Sequence, residues 1–261
     1  MSNNDYLTTL FGLKGKTAVV IGGAGFLCSQ MAFGLAKAGV NVAILDKNEE
    51  KLKSVVEQIK ADGVKSLGIA LDVTKKDNLL SAKADVLKRF HKMDILINGA
   101  GVNAPTPFFD ITVEEWQAIL DSHITATFLA CQVFGEHMVE DKTGSIINMS
   151  SASAGPPLAK AFTYSVAKAG IRNLTQNLGR EWASHNVRVN CLRPGFFPTE
   201  WSKKHFIDEE RNAAILNHTP MGRYGKPEEL VGAVLWLASD AASFVTGAEI
   251  TIDGGFTCMT I

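Results

Sequence analysis

Short apolar runs rich in Val, Ile and Leu recur along the chain, bounded by Gly, Asp, Asn or Lys. They predict strands at 16–22, 40–46, 65–71, 93–98, 144–149, 187–193 and 248–252. Between them, apolar positions return at helical spacing and predict helices over 25–38, 48–62, 75–91, 112–138, 162–184 and 227–239. Regular alternation of strand and helix points to an α/β architecture: a doubly wound, seven-stranded parallel sheet with helices on both faces. No linker, repeat or low-complexity tract interrupts it, so one domain over 1–261 is expected. The long departure is the stretch 195–223, between the sixth strand and the last helix. Loops of that length in a compact domain are usually functional, and this one should lie beyond the carboxyl ends of the strands, where open α/β sheets bind ligands. Its Phe196, Phe197 and Trp201 suggest a closing flap rather than a surface excursion.

Composition narrows the function class. Hydrophobic residues make up 46% of the chain, enough for a sizeable core, and a net charge of −1 gives no electrostatic case for nucleic acid. No apolar run approaches the ~20 residues of a membrane span. The first residues, Met1 to Tyr6, show no basic region leading into an apolar core. Cys28, Cys131, Cys191 and Cys258 are scattered without metal-ligand spacing. Reduced thiols, no metal site and a soluble cytoplasmic protein are therefore expected.

Two constellations carry chemistry. Tyr164 and Lys168 stand four residues apart in a helical segment, which places them on one face about 5–6 Å apart. With a hydroxyl from Ser150 or Ser151 at a neighbouring strand end, they could move a proton to or from an alcohol or ketone oxygen. A phenol with pKa ~10 is a poor base at neutral pH, so such a site needs a dry pocket and a second positive charge. The second constellation is the turn Gly22-Gly-Ala-Gly-Phe-Leu-Cys28 between the first strand and first helix. A glycine-rich strand-to-helix turn lets backbone N–H groups approach a pyrophosphate at a helix N-terminus. The second strand ends in Asp46, 24 residues after Gly22, suited to a ribose hydroxyl. The plainer alternatives are a tight turn, and a capping box opened by Asp46 with Glu49.

Together these residues resemble the short-chain dehydrogenase/reductase family, almost end to end. The landmarks fall in order: the turn at 22–28, Asp72-Val73, Asn98-Gly-Ala-Gly101, Ser151 thirteen residues before Tyr164, Lys168, Pro194-Gly195 with Thr199, Val245-Thr-Gly247 and Asp253-Gly-Gly255. The resemblance implies a Rossmann fold, a homotetramer built through the helices at 112–138 and 162–184, and NAD as cofactor. Phe128, Val133, Phe134 and Met138 spread apolar residues over more than one face of the first of those helices, more than one sheet face would cover. It implies cofactor contacts at Gly22, Gly25, Phe26, Leu27, Asp46, Asp72, Val73, Asn98, Ala100, Gly101, Tyr164, Lys168, Pro194, Gly195, Phe197 and Thr199. Tyr164 would be the acid or base, Ser151 would steady the reacting oxygen, and Lys168 would hold ribose hydroxyls and favour phenolate.

Three departures from the family pattern stand out. Ile21 replaces the usual threonine before the first glycine, and the usual third glycine is missing near Phe26-Leu27-Cys28, where closer approach of helix to sheet is normal. His123 occupies the place of an asparagine that holds a relay water; it is a candidate catalytic residue, able to hold that water or to exchange protons near neutral pH, or else a packed histidine. The stretches 22–28, 194–200, 218–225 and 253–256 further resemble members acting on the sugar acids D-mannonate and D-fructuronate, with gluconate 5-dehydrogenases next and 3-oxoacyl-carrier reductases after them. Lys160, Lys203, Lys204 and Arg223 are the candidate partners for a substrate carboxylate. A nucleotide-sensing regulator without turnover is the reading from another class.

Overall fold

All seven expected strands form, in one parallel sheet of order β3-β2-β1-β4-β5-β6-β7. They are β1 Thr17–Ile21, β2 Asn41–Asp46, β3 Ser66–Ala70, β4 Ile95–Asn98, β5 Gly144–Met149, β6 Val187–Pro194 and β7 Glu249–Ile252. The computed structural model describes residues 3–156, 158–199, 203–204 and 207–260; Trp201, expected in a flap, lies outside them. Every residue of β1 and β4 is buried, as expected of central parallel strands covered on both faces. Alternation then splits their side chains. Val20, Ile44 and Ile97 enter a core with Leu35, Leu192 and Val234, while Val19, Leu45 and Leu96 enter the opposite one with Phe134 and Val189.

The helices are α1 Asn3–Phe11, α2 Phe26–Lys37, α3 Glu49–Ala61, α4 Lys76–Phe90, α5 Val113–Leu120, α6 Ala126–Glu140, α7 Phe162–Trp182, α8 Glu209–Asn217 and α9 Val231–Ala238. Chain reversal between β1 and β4 makes the crevice at their carboxyl ends the switch point of the sheet, where such folds bind ligands. Among the described residues no helix is long and apolar enough to cross a membrane.

Four outcomes differ from the sequence pattern. The expected helix at 112–138 is split by a π turn, Asp121–Thr125, which carries His123. The segment 227–239 opens as a 3₁₀ turn at Pro227–Leu230 before α9. Helix α1 was not expected. The stretch 195–223 is not a structureless loop either, because α8 lies within it. Asp208 caps α8, accepting from the Arg211 N–H at 2.8 Å, and only Ile215 of the helix is buried, so its apolar stripe is too thin to read from periodicity. The expected flap residues are also anchored. Phe196 stacks edge-on against Phe256 at 5.0 Å, and Phe197 packs on the core.

Candidate functional site

The glycine-rich turn is shaped by close approach to the end of β4. Gly22 has φ +69°, and a Cβ there would sit 2.7 Å from the Ala100 nitrogen; only glycine serves both demands. Gly25 is the N-cap of α2 and offers no side-chain hydrogen bond to the first turn. The leading N–H groups of α2 therefore remain available to an anion. Cys28, where the family pattern has glycine, is buried, and its sulfur occupies the space that a Cβ on Gly99 would need, so the missing glycine is compensated by one on β4's exit. Ile21 lies in the core instead of tying the turn.

Two adjoining cavities follow this turn. One, of about 210 Å³, is lined by Asp46, Asp72, Val73 and Ala100 as expected, and also by Lys47, Leu71, Thr74 and Ser122. The other, of about 430 Å³, is lined by Phe26, Leu27, Pro194, Gly195, Phe197 and Thr199 together with His123, Ser151, Tyr164 and Lys168. Gly22, Gly25 and Gly101 belong to both walls. Asp46 is held in place by two backbone donors, Ala24 N–H at 3.1 Å and Asn48 N–H at 2.9 Å. The cap of α3 is Asn48, accepting from Lys51 N–H at 2.9 Å, so the capping-box alternative for Asp46 with Glu49 does not form. Asp72 stands beyond the end of β3, and its carboxyl is held below the usual range, first by the Thr74 hydroxyl, then by the Thr74 N–H. Asn98 departs from expectation. It lines neither cavity; its amide turns into the sheet and donates to Asn148 Oδ1 at 2.8 Å, because β4 and β5 are paired at that level.

A nicotinamide dinucleotide fits the groove these cavities form. The bare turn leaves room that any Cβ on Gly22 would fill, the uncapped α2 N-terminus suits a pyrophosphate, and Asp46 stands where a ribose would lie.

The reacting end is built from β5 and α7. Ser151 follows β5 in extended conformation and caps the short turn Ala152–Ala154. Its Oγ accepts from Ser153 N–H at 3.2 Å and lies 3.1 Å from the Ser153 hydroxyl. Tyr164 and Lys168 come from one face of α7. Lys168 is 4% exposed, donates to the Met149 carbonyl at 2.7 Å, and holds its ammonium 5.4 Å from the Tyr164 ring centre. Burial brings its pKa down to about 8, against a smaller opposing effect of the Cys28 and Cys191 thiols. Burial likewise raises the Tyr164 phenol, and the neighbouring Ser151 hydroxyl opposes that rise. Burial thus favours the protonated phenol, the state an acid requires.

His123 sits edge-on to Tyr164 at 5.1 Å, with Nε2 donating to the Val102 carbonyl at 2.8 Å. A Cβ on Gly101 would collide with its ring, so that glycine makes room for it. Burial first, and Lys168 second, lower its pKa to about 3, opposed by the Val102 and Ala100 carbonyls. Burial therefore favours the neutral ring, the form in which His123 would hold a relay water rather than exchange protons near neutral pH.

A third cavity, of about 310 Å³, opens on the other side of Ser151 and Tyr164. It shares Asn103, Gly195 and Phe197 with the cofactor groove and is closed by Lys160, Ile207 and Arg211. Of the four expected carboxylate partners, only Lys160 lines it. Arg223 lies on another surface, locked to Glu229 at 2.6 and 2.9 Å, and Lys203 and Lys204 are not on the cavity wall. Sequence reading missed Arg211 because α8 itself was not legible. It also missed a brace behind Ser151. Glu249 of β7 accepts from the Ser150 hydroxyl at 3.0 Å and pairs with Arg193 at 3.5 Å, while Arg193 donates to the Ala152 carbonyl at 3.3 Å. Of the two candidate serines, Ser150 thus braces the strand end, and Ser151 is the one that faces the third cavity.

The family model described as Enoyl-(Acyl carrier protein) reductase matches residues 26–257. The chain belongs to the short-chain dehydrogenase/reductase family. It is accordingly an oxidoreductase of CH–OH groups that uses a nicotinamide cofactor. It is 41% identical to the uncharacterized oxidoreductase UxuB of Bacillus subtilis (strain 168), covering 94% of this chain and 95% of that one. It is 33% identical to the gluconate 5-dehydrogenase of Gluconobacter oxydans (strain 621H), covering 95% and 97%. Among solved structures, gluconate 5-dehydrogenase from Burkholderia cenocepacia J2315 in complex with NADP and tartrate superposes with a TM-score of 0.91 at 30% identity, covering 97% of this chain and 99% of that one.

Proposed function

We propose that this protein interconverts a secondary alcohol and a ketone on a sugar acid, D-mannonate and D-fructuronate foremost, using NAD(H), as a cytoplasmic single-domain homotetramer. The observation that carries the reaction is the placement of Ser151 and Tyr164 on the wall shared by the cofactor groove and the third cavity, with Lys168 beside them on the groove side. Bound nicotinamide supplies or accepts the hydride. Tyr164 gives its proton to the carbonyl oxygen during reduction and recovers it during oxidation. Ser151 holds that oxygen as charge develops on it. Lys168, fixed by the Met149 carbonyl, orients ribose and opposes the cost of phenolate.

Asp46 supports NAD(H) over NADP(H). A 2′-phosphate would bring like charge against a carboxylate that two backbone donors hold in place. At ~4 Å and an effective dielectric of ~20 the repulsion is on the order of 4 kcal/mol per charge pair. Lys47 on the same wall softens it, and the Burkholderia relative with NADP is the counter-example within the family. The sugar-acid reading is supported by the resemblance at 22–28, 194–200, 218–225 and 253–256, by the gluconate dehydrogenases among the relatives, and by a substrate cavity with two cations and no carboxylate on its described wall. Those same relatives favour a second reading, gluconate 5-dehydrogenase activity.

The test is oxidation of NADH and NADPH with D-fructuronate, 5-keto-D-gluconate and neutral ketoses. The expected result is highest efficiency with NADH and D-fructuronate. Comparable efficiencies with both cofactors would sink the NAD assignment, and higher efficiency on 5-keto-D-gluconate would select the second reading.

A further inference from the structure

We infer that Arg211, the first-turn arginine of α8, is the residue that selects anionic substrates, gripping the carboxylate of the sugar acid at the end of the cavity away from Tyr164; this rests on the sugar-acid reading above. Three observations carry it. Arg211 and Lys160 are the only charged residues on the described wall of the cavity that holds Ser151 and Tyr164. The two cations are not equivalent. Lys160 is already paired with Asp208 at 3.2 Å, whereas among the described residues no carboxylate lies within ion-pair distance of the Arg211 guanidinium. Among the described residues its guanidinium makes one hydrogen bond, from Nη2 to the Ala159 carbonyl at 2.8 Å, which orients the planar group and uses one of its five N–H donors. An oriented guanidinium with free donors is suited to two parallel hydrogen bonds with a carboxylate.

The local sequence explains the placement. Asp208 caps α8 through the Arg211 N–H at 2.8 Å, and its other oxygen draws in Lys160 from the segment that leads into α7. One aspartate thus ties the start of α8 to the approach of α7, which carries Tyr164, and sets Arg211 against the same wall. Asn103 adds a neutral contact: among the described residues its buried Oδ1 has no partner, and it is available to a substrate hydroxyl. A polyhydroxylated chain with one anionic end matches this arrangement of a carbonyl-reducing end, an amide and a guanidinium.

The experiment compares D-fructuronate with D-fructose, which carries CH₂OH in place of the carboxylate, in the wild type, Arg211→Gln and Arg211→Lys. Wild type should favour the acid. Arg211→Gln should raise KM for D-fructuronate about 10–100-fold, change KM for D-fructose far less, and so erase the preference. Arg211→Lys, which keeps the charge but not the forked geometry, should fall between them, and folding of each variant is followed by its thermal transition. Should Arg211→Gln misfold, the same partial loss in Arg211→Lys decides. Retention of the full acid preference in a folded variant overturns the role of Arg211 while leaving the sugar-acid reading intact. Equal wild-type efficiency on the two sugars overturns that reading, and this inference with it.

Discussion

Residues 164 and 168 share a helix face but answer to opposite demands. Tyr164 must lose and regain a proton, whereas Lys168 must stay charged in a dry place. Tyr164→Phe should therefore abolish turnover and leave NADH affinity nearly unchanged, which steady-state rates and a fluorescence titration would show together. Lys168→Met should end activity too, yet stabilise the fold. A drop from 10.5 to about 8 means that carrying the buried charge at neutral pH costs the native state roughly 3 kcal/mol. The sign follows from proton counting. Between about pH 8 and 10.5 the unfolded chain binds the proton more than the native one does, so this cost shrinks as pH rises. Denaturation at pH 7 and pH 10 should show the advantage of the methionine variant narrowing; a methionine variant less stable than wild type at pH 7 would refute the account. His123 is governed by the same burial. With its pKa at about 3 against 6.5 unfolded, it lowers native stability as pH falls below about 6.5, but adds no acidic limb to the rate between pH 5 and 8. If its neutral ring holds part of the relay, His123→Ala should slow turnover without weakening cofactor binding, and His123→Asn should restore the rate. Full turnover in His123→Ala would remove it from the mechanism.

At the scale of elements, legibility followed burial. The five inner strands could be read because a buried parallel strand must be apolar almost throughout, the largely unburied edge strands β3 and β7 only as short apolar runs, and Tyr164 with Lys168 because a four-residue spacing fixes their face. The π turn at Asp121–Thr125 could not, since one extra residue in a turn leaves no mark in a periodicity of 3.6, and its role shows only where His123 meets Gly101. Helix α8 escaped for the opposite reason: it buries a single residue. Asn98 stands in its expected motif, but the motif does not say that its amide turns toward Asn148. The brace of Ser150, Arg193 and Glu249 joins strands far apart in sequence, and no local pattern announces it. Its consequence can be measured. Glu249 and Arg193 are 13% and 14% exposed at their side chains, and removing one partner of a buried pair costs ~3–5 kcal/mol. Glu249→Ala should lose stability of that order, somewhat less where Arg172, 3.5 Å away, relaxes toward solvent. By loosening the segment that sets Ser151, it should lower kcat more than it changes NADH affinity. A variant with unaltered kcat would make the brace purely structural.

At the scale of the molecule, the chain assembles its whole candidate site from its own residues, yet leaves large apolar side chains uncovered. Of the four apolar residues spread over more than one face of the helix at 112–138, Val133, Phe134 and Met138 lie in the core, where α6 packs on the sheet, and Phe128 is left exposed, at 47%. Helix α7 adds Phe162 and Val166, each about half exposed. The proposed homotetramer accounts for them, since fully burying such a side chain contributes roughly 1.5–3 kcal/mol. Helix α7 would then face two ways, with Tyr164 and Lys168 inward to the chemistry and Phe162 and Val166 outward to a second copy. Sedimentation at micromolar concentration should give the mass of four chains for the wild type and a smaller species for the paired variant Phe128→Glu, Val166→Glu. Because no partner residue is needed to complete Ser151, Tyr164 and Lys168, the dissociated variant should retain turnover at low temperature. It should lose activity on warming sooner than wild type, as α7 is held from one side alone. A monomeric wild type would end the tetramer proposal, and a dissociated variant as heat-resistant as the parent would show that assembly adds nothing to the rigidity of the site.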